Sequence, residues 1–89
     1  MQTTSIVVHN KVGLHARPAA LFVQAAMAHQ SRITVVNGEK SGNAKSIISI
    51  LALGVQQNDK ITINVDGPDE MEALTALTKL IEDNFCEPV

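Results

Sequence analysis

The sequence contains no tryptophan and no tyrosine, and its only aromatic side chains are Phe22 and Phe85. It therefore lacks the stacking platforms on which single-stranded nucleic acids are held. Positive charge is also scarce: 7 Lys and Arg stand against 9 Asp and Glu, a net charge of -2 with no block of one sign. That leaves no electrostatic footprint for a phosphate backbone, so nucleic acid is not expected as a partner. The apolar stretches fall far short of the roughly 20 residues of a membrane span, and no membrane insertion is expected. The lone cysteine, Cys86, has no disulfide partner and no zinc-ligand spacing around it, and reads as a free thiol in a reducing compartment. The opening Met1-Gln2-Thr3-Thr4-Ser5 lacks the charged start and apolar run of a secretory signal, so a cytoplasmic location is expected.

Chemical machinery is thin as well. No Gly-rich run ends in Gly-Lys-Ser/Thr, which argues against a nucleotide site. The His, Cys, Asp and Glu residues show no metal-ligand spacing, and no metal or other cofactor is expected. A chain of 89 residues can build one modest core but not a core plus a deep walled cavity, which leans away from a self-contained enzyme.

What is present is a regular alternation of strand and helix signals, read as one domain over 1–89 with no linker or repeat. Ser5 to Val8 reads as a first strand, ended by the turn-prone His9-Asn10-Lys11. Ala16 to about His29 is alanine-rich and helical, with Pro18 tolerated in the first turn, where N–H groups lack intrahelical acceptors. Arg32 to Val36 is a second strand, and Asn37-Gly38 signals a hairpin into a third strand over Glu39 to Gly42. A brief helix from Ile47 to Leu53 fits between Ser46 as N-cap and Gly54 as stop. Lys60 to Asp66 alternates apolar and polar residues, as a strand with one buried face must. Glu70 to about Asn84 is a last helix, with Met71, Leu74, Leu77 and Ile81 expected on its core stripe. The order β-α-β-β-α-β-α predicts an α+β fold, an open-faced two-layer sandwich. Its four-stranded antiparallel sheet is covered on one side by three helices.

The first helix carries more apolar surface than one core contact uses. Ala19, Phe22, Val23 and Ala26 form the natural core stripe, while Ala20, Leu21 and Met27, with Gln24 among them, lie on a neighbouring face. In the short helix Ile50 and Leu53 can anchor to the core, leaving Ile47, Ile48 and Leu51 less obviously buried. Such surplus is either a wide core stripe or a patch for a protein partner.

Among the three histidines, His9 in a turn and His29 near a helix end read as solvated or capping a carbonyl. His15 differs because it sits in Gly13-Leu14-His15-Ala16-Arg17-Pro18-Ala19. Gly13 allows a loop conformation closed to other residues, and His15 then falls at the start of the helix. There the N–H groups of Ala16 and Arg17, with the positive end of the helix dipole, make an anion site. Arg17 adds a planar, permanently charged fork suited to phosphoryl oxygens. Phosphoryl transfer needs little more than placement and charge stabilisation, so His15 is a candidate phosphoryl acceptor.

That seven-residue motif resembles the histidine-containing phosphocarrier protein (HPr) family of the bacterial phosphoenolpyruvate-dependent sugar phosphotransferase system. The second segment, Ala44-Lys45-Ser46-Ile47-Ile48-Ser49-Ile50-Leu51-Ala52-Leu53-Gly54, resembles the family too, and the likeness covers essentially the whole chain. The resemblance implies that His15 accepts phosphate on Nδ1 from phosphorylated enzyme I and passes it to sugar-specific enzyme IIA domains. It implies that Arg17 stabilises the group, and that Ala20, Leu21, Gln24, Met27, Ile47, Ile48 and Leu51 form the docking surface. Ser46 matches the position that an HPr kinase/phosphorylase modifies in many relatives, where a catabolite-control repressor is a further partner. Two departures stand out: Ile48 and Leu51 replace methionines common in regulated relatives, and Val12 occupies a position often polar. A carrier of a nitrogen-type regulatory branch and an unphosphorylated interaction module are the alternatives. A monomer is expected.

Overall fold

The computed structural model describes residues 1–86, so the reading of Cys86 as a free thiol and the final Glu87-Pro88-Val89 lie outside the described side chains. The most regularly alternating segment of the sequence forms the middle of the sheet. Strands β1 (Gln2–Val7), β2 (Arg32–Asn37), β3 (Lys40–Asn43) and β4 (Lys60–Asp66) lie in the order β1-β4-β2-β3, and every neighbouring pair is antiparallel. β4, last in the chain, is thus inserted between β1 and β2. Its alternate residues Ile61, Ile63 and Val65 are wholly buried. On the opposite face Asn64 accepts from the Thr3 hydroxyl at 2.9 Å, and Thr62 and Ser5 share a hydrogen bond at 3.0 Å, both across to β1. One dry face and one polar face are what the alternation demands.

Helices α1 (Ala16–Met27), α2 (Ile47–Ala52) and α3 (Glu70–Glu82) complete the expected element order. The fold is the open-faced sandwich read from the sequence. The α1 stripe of Ala19, Phe22, Val23 and Ala26 is buried, as are Ile50 and Leu53 of the α2 segment. Gly54, at φ +63°, ends the short helix in the left-handed conformation that favours glycine.

Several expected boundaries and faces move. β1 starts at Gln2 rather than Ser5, because its ladder with β4 extends to Gln2 opposite Val65. In the hairpin Asn37 pairs with Lys40, so the loop residues are Gly38 and Glu39, and Asn37 ends its strand by donating to the Leu53 carbonyl at 3.0 Å. On α3 the core stripe is rotated: Ala73, Leu77 and Ile81 are buried, Leu74 is half-buried, and Met71 is 58 % exposed. The small Ala73 allows close approach to the sheet, and the i, i+4, i+8 spacing then turns Met71 outward. α3 stops at Glu82, and Asn84 and Phe85 adopt φ of 52° and 57°, bringing Phe85 to full burial.

α1 ends at Met27, and His29 is neither free nor capping a carbonyl with its ring. Its Nδ1 donates to the Asp69 carboxylate at 3.1 Å. The same carboxylate accepts from the backbone N–H of Gln30 at 3.0 Å, from that of Ser31 at 2.9 Å and from the Ser31 hydroxyl. Asp69 precedes α3, so one side chain ties the α1–β2 turn to the start of the last helix. The Ser31 hydroxyl foremost, and then these N–H donors, hold its carboxyl well below the usual carboxylate range. The Lys45 ammonium donates to the His29 carbonyl at 2.7 Å, which links the end of α1 to the residues leading into α2.

Candidate functional site

The loop between β1 and α1 has to deliver a polar ring to the surface while its own residues stay anchored. Two neighbours of His15 provide the anchors. Leu14 is completely buried, and its N–H donates to the Val55 carbonyl at 3.1 Å. Gly13 has φ +60°, and a Cβ there would overlap the Val55 carbonyl oxygen and come within 2.8 Å of the Gln56 Cα. Only glycine meets both conditions, as its place in the motif suggested. Asn10 closes the loop from the other side: its backbone carbonyl accepts from the Gly13 N–H at 3.1 Å, and its side-chain amide donates to the Gly13 carbonyl at 2.7 Å.

His15 follows in extended conformation, φ -124° and ψ 161°, as the N-cap of α1, and its ring is exposed and makes no capping hydrogen bond. Ala16, the first residue of the helix, has φ +52°. This departs from the expectation of an ordinary helical start. The chain must turn sharply between a surface His15 and the buried Pro18 and Ala19, and a left-handed residue makes that turn. Arg17 is exposed on the same end of the helix, two residues from the imidazole. His15 borders a shallow depression of about 430 Å³ whose other walls are Lys11, Val12, Gln56 and Gln57. Val12 is 46 % exposed there, an apolar side chain beside the ring. Gln57 is held by donating to the His9 carbonyl at 3.2 Å, and His9 is exposed.

Helix α1 packs against α2, and the surplus apolar residues of both stay at the surface. Met27 is 64 % exposed, Ile48 is 78 % exposed, and Ala20, Gln24, Ile47 and Leu51 are exposed as well. Leu21 alone is divided, half-buried against the core. Ser46 is the N-cap of α2, and its hydroxyl accepts from the Ser49 N–H at a long 3.4 Å. Reasoning from sequence missed the Asn10 clasp and the Gln56 and Gln57 wall. A turn-prone Asn three residues before a glycine was the available signal for the first. For the second there was none, because the wall forms only through tertiary contact.

A small open-faced sandwich that presents an exposed imidazole at a helix start, an exposed arginine two residues on, and exposed apolar side chains on its first two helices has the form of a phosphocarrier domain. Comparison with known proteins bears this out. Residues 2–83 match the family PTS-HPr, described as the PTS HPr component phosphorylation site. The phosphocarrier protein HPr of Mycoplasma pneumoniae is 42 % identical over 83 residues, covering 92 % of this chain and 94 % of that protein. The crystal structure of HPr-C-His from Thermoanaerobacter tengcongensis superposes with a TM-score of 0.98 at 48 % identity, covering 100 % of both chains. A crystal structure of an HPr dimer from the same organism gives a TM-score of 0.79 at 49 % identity, covering 98 % of this chain and 100 % of that one. The chain belongs to the HPr family, the phosphocarrier proteins of the phosphotransferase system, and is a carrier and not an enzyme. Among the described residues no helix is long and apolar enough to cross a membrane.

Proposed function

We propose that the chain takes a phosphoryl group onto Nδ1 of His15 from phosphorylated enzyme I and hands it to sugar-specific enzyme IIA domains. The observation that carries this reading is the exposed His15 at the start of α1, inside a family of phosphocarriers. The unprotonated Nδ1 attacks phosphorus as the donor's bond to phosphorus breaks, and the reverse displacement releases the group to the next acceptor. The developing charge on the phosphoryl oxygens is met by the Arg17 guanidinium and the N–H groups of Ala16 and Arg17 at the positive end of the helix. No nucleotide or metal of the carrier's own enters this scheme.

The α1–α2 face of Ala20, Leu21, Gln24, Met27, Ile47, Ile48 and Leu51 is the docking surface for both partners. Its modest apolar area suits contacts that form and release rapidly. The acting species is a cytoplasmic monomer, with the whole of 1–89 serving as one domain. Ser46, beside Ile47 and Ile48, is a regulatory phosphorylation site, because a doubly charged group there repels an acidic partner from the patch. Intact mass after incubation with phosphoenolpyruvate, magnesium and catalytic enzyme I tests the core of the scheme. One acid-labile phosphate is expected on the native chain and none on His15→Ala; a gain that survives in His15→Ala refutes the assignment.

A further inference from the structure

Asn10 is 93 % buried in the sense that only 7 % of it is exposed, and its Oδ1 is the one buried side-chain oxygen or nitrogen among the described residues with no hydrogen-bond partner. A buried acceptor left unpaired is costly, and in a native structure it calls for a reason. The reason lies at the other end of the amide. Rotating the group by half a turn would aim Oδ1 at the Gly13 carbonyl, oxygen against oxygen, and would break the 2.7 Å bond now made by Nδ2. The side chain therefore gives up one acceptor to grip Gly13, whose N–H is already held by the Asn10 backbone at 3.1 Å.

Both polar backbone groups of Gly13 are thus held by one residue, while Val55 and Gln56 block it from behind. Two residues further on, the His15 ring has no capping bond of its own. Its place is inherited from the backbone that precedes it. We infer that Asn10 is a positioning residue for phosphoryl transfer, fixing the loop that aims His15; this rests on His15 being the acceptor. Reacting groups must meet within a narrow geometry, and a displacement of about 1 Å costs as much as about 100-fold in rate. Loosening the clasp should therefore slow charging even in a folded protein.

The test compares Asn10→Ala and the isosteric Asn10→Asp, which lacks the amide donor, with Ser31→Ala. That control removes a hydrogen bond of the Asp69 clasp at the far end of α1 and lowers stability without touching the His15 loop. With phosphoenolpyruvate and enzyme I, both Asn10 variants are expected to charge with kcat lowered at least about tenfold and KM little changed. Ser31→Ala should charge at the native rate. A second readout needs no donor: hydrogen exchange at the Gly13 and Leu14 amides should accelerate in the Asn10 variants well beyond any global loss of stability, and not in Ser31→Ala. If the native chain charges at His15 while the Asn10 variants keep pace with Ser31→Ala, the positioning role is overturned and the carrier reading stands. If the native chain takes no phosphate, the carrier reading fails. In that case unchanged Gly13 and Leu14 exchange in the Asn10 variants overturns the clasp on its own terms.

Discussion

His15 owes its position to the loop before it, where Gly13 is pressed against Val55, Leu14 is buried and Asn10 holds the Gly13 backbone. Gly13 was legible in the sequence, since a glycine two residues before a helix start implies a backbone other residues avoid. Ala16 was not, because the left-handed region is expected of glycine or asparagine, and an alanine at φ +52° is held there by the burial of Leu14 on one side and Pro18 on the other. Two substitutions separate these cases. Gly13→Ala places a Cβ against the Val55 carbonyl at a φ that costs an L residue roughly 1–2 kcal/mol before any overlap. It should lower unfolding free energy in a urea titration by at least about 2 kcal/mol. Ala16→Gly relieves the same strain where nothing else changes, and should leave stability equal or raise it by up to about 1 kcal/mol. A clear loss of stability in Ala16→Gly would show that the left-handed Ala16 carries no strain.

Where α1, β2 and α3 meet, the Asp69 carboxylate gathers donors from His29, Gln30 and Ser31. Its carboxyl is depressed from an ordinary value of 3.8, so its contribution to stability is full above that pH and is lost as pH falls toward the lowered folded value. Asp69→Asn should therefore melt below the native protein at neutral pH, with the gap narrowing on acidification below pH 3.8. A gap that stays constant from neutral pH into acid would contradict the clasp. None of this could be read from the chain, because Asp69 and Ser31 are 38 residues apart and neither lies in a periodic segment. Periodicity identified β4 most securely, because a strand with one buried face must alternate, whereas β3 was read from the Asn37-Gly38 turn, α2 from its capping residues and α1 from its alanine content. It misjudged the face of α3, since Met71 outranks Ala73 in hydrophobicity while close helix–sheet packing favours the smaller side chain.

The element order fixed the architecture, but the insertion of β4 between β1 and β2 was not foreseen, because pairing between distant strands leaves no local signal. The covered face of the sheet carries the core, and the outer sides of α1 and α2 carry the apolar surplus. Ile48, at 78 % exposed, contributes little to the core, so Ile48→Asp should change stability by no more than about 0.5 kcal/mol. In the same variant KM for enzyme I should rise roughly tenfold, the effect of a binding residue worth more than 1 kcal/mol. Equal KM values would remove Ile48 from the docking surface. A phosphocarrier must not only take up a phosphoryl group but give it up. The most direct measurement charges it with labelled phosphate, frees it from enzyme I and phosphoenolpyruvate, and mixes it with an enzyme IIA domain. The label should leave His15 and appear on the IIA protein in equal amount; label that stays on the chain, or passes only to water, would contradict transfer from His15 to enzyme IIA.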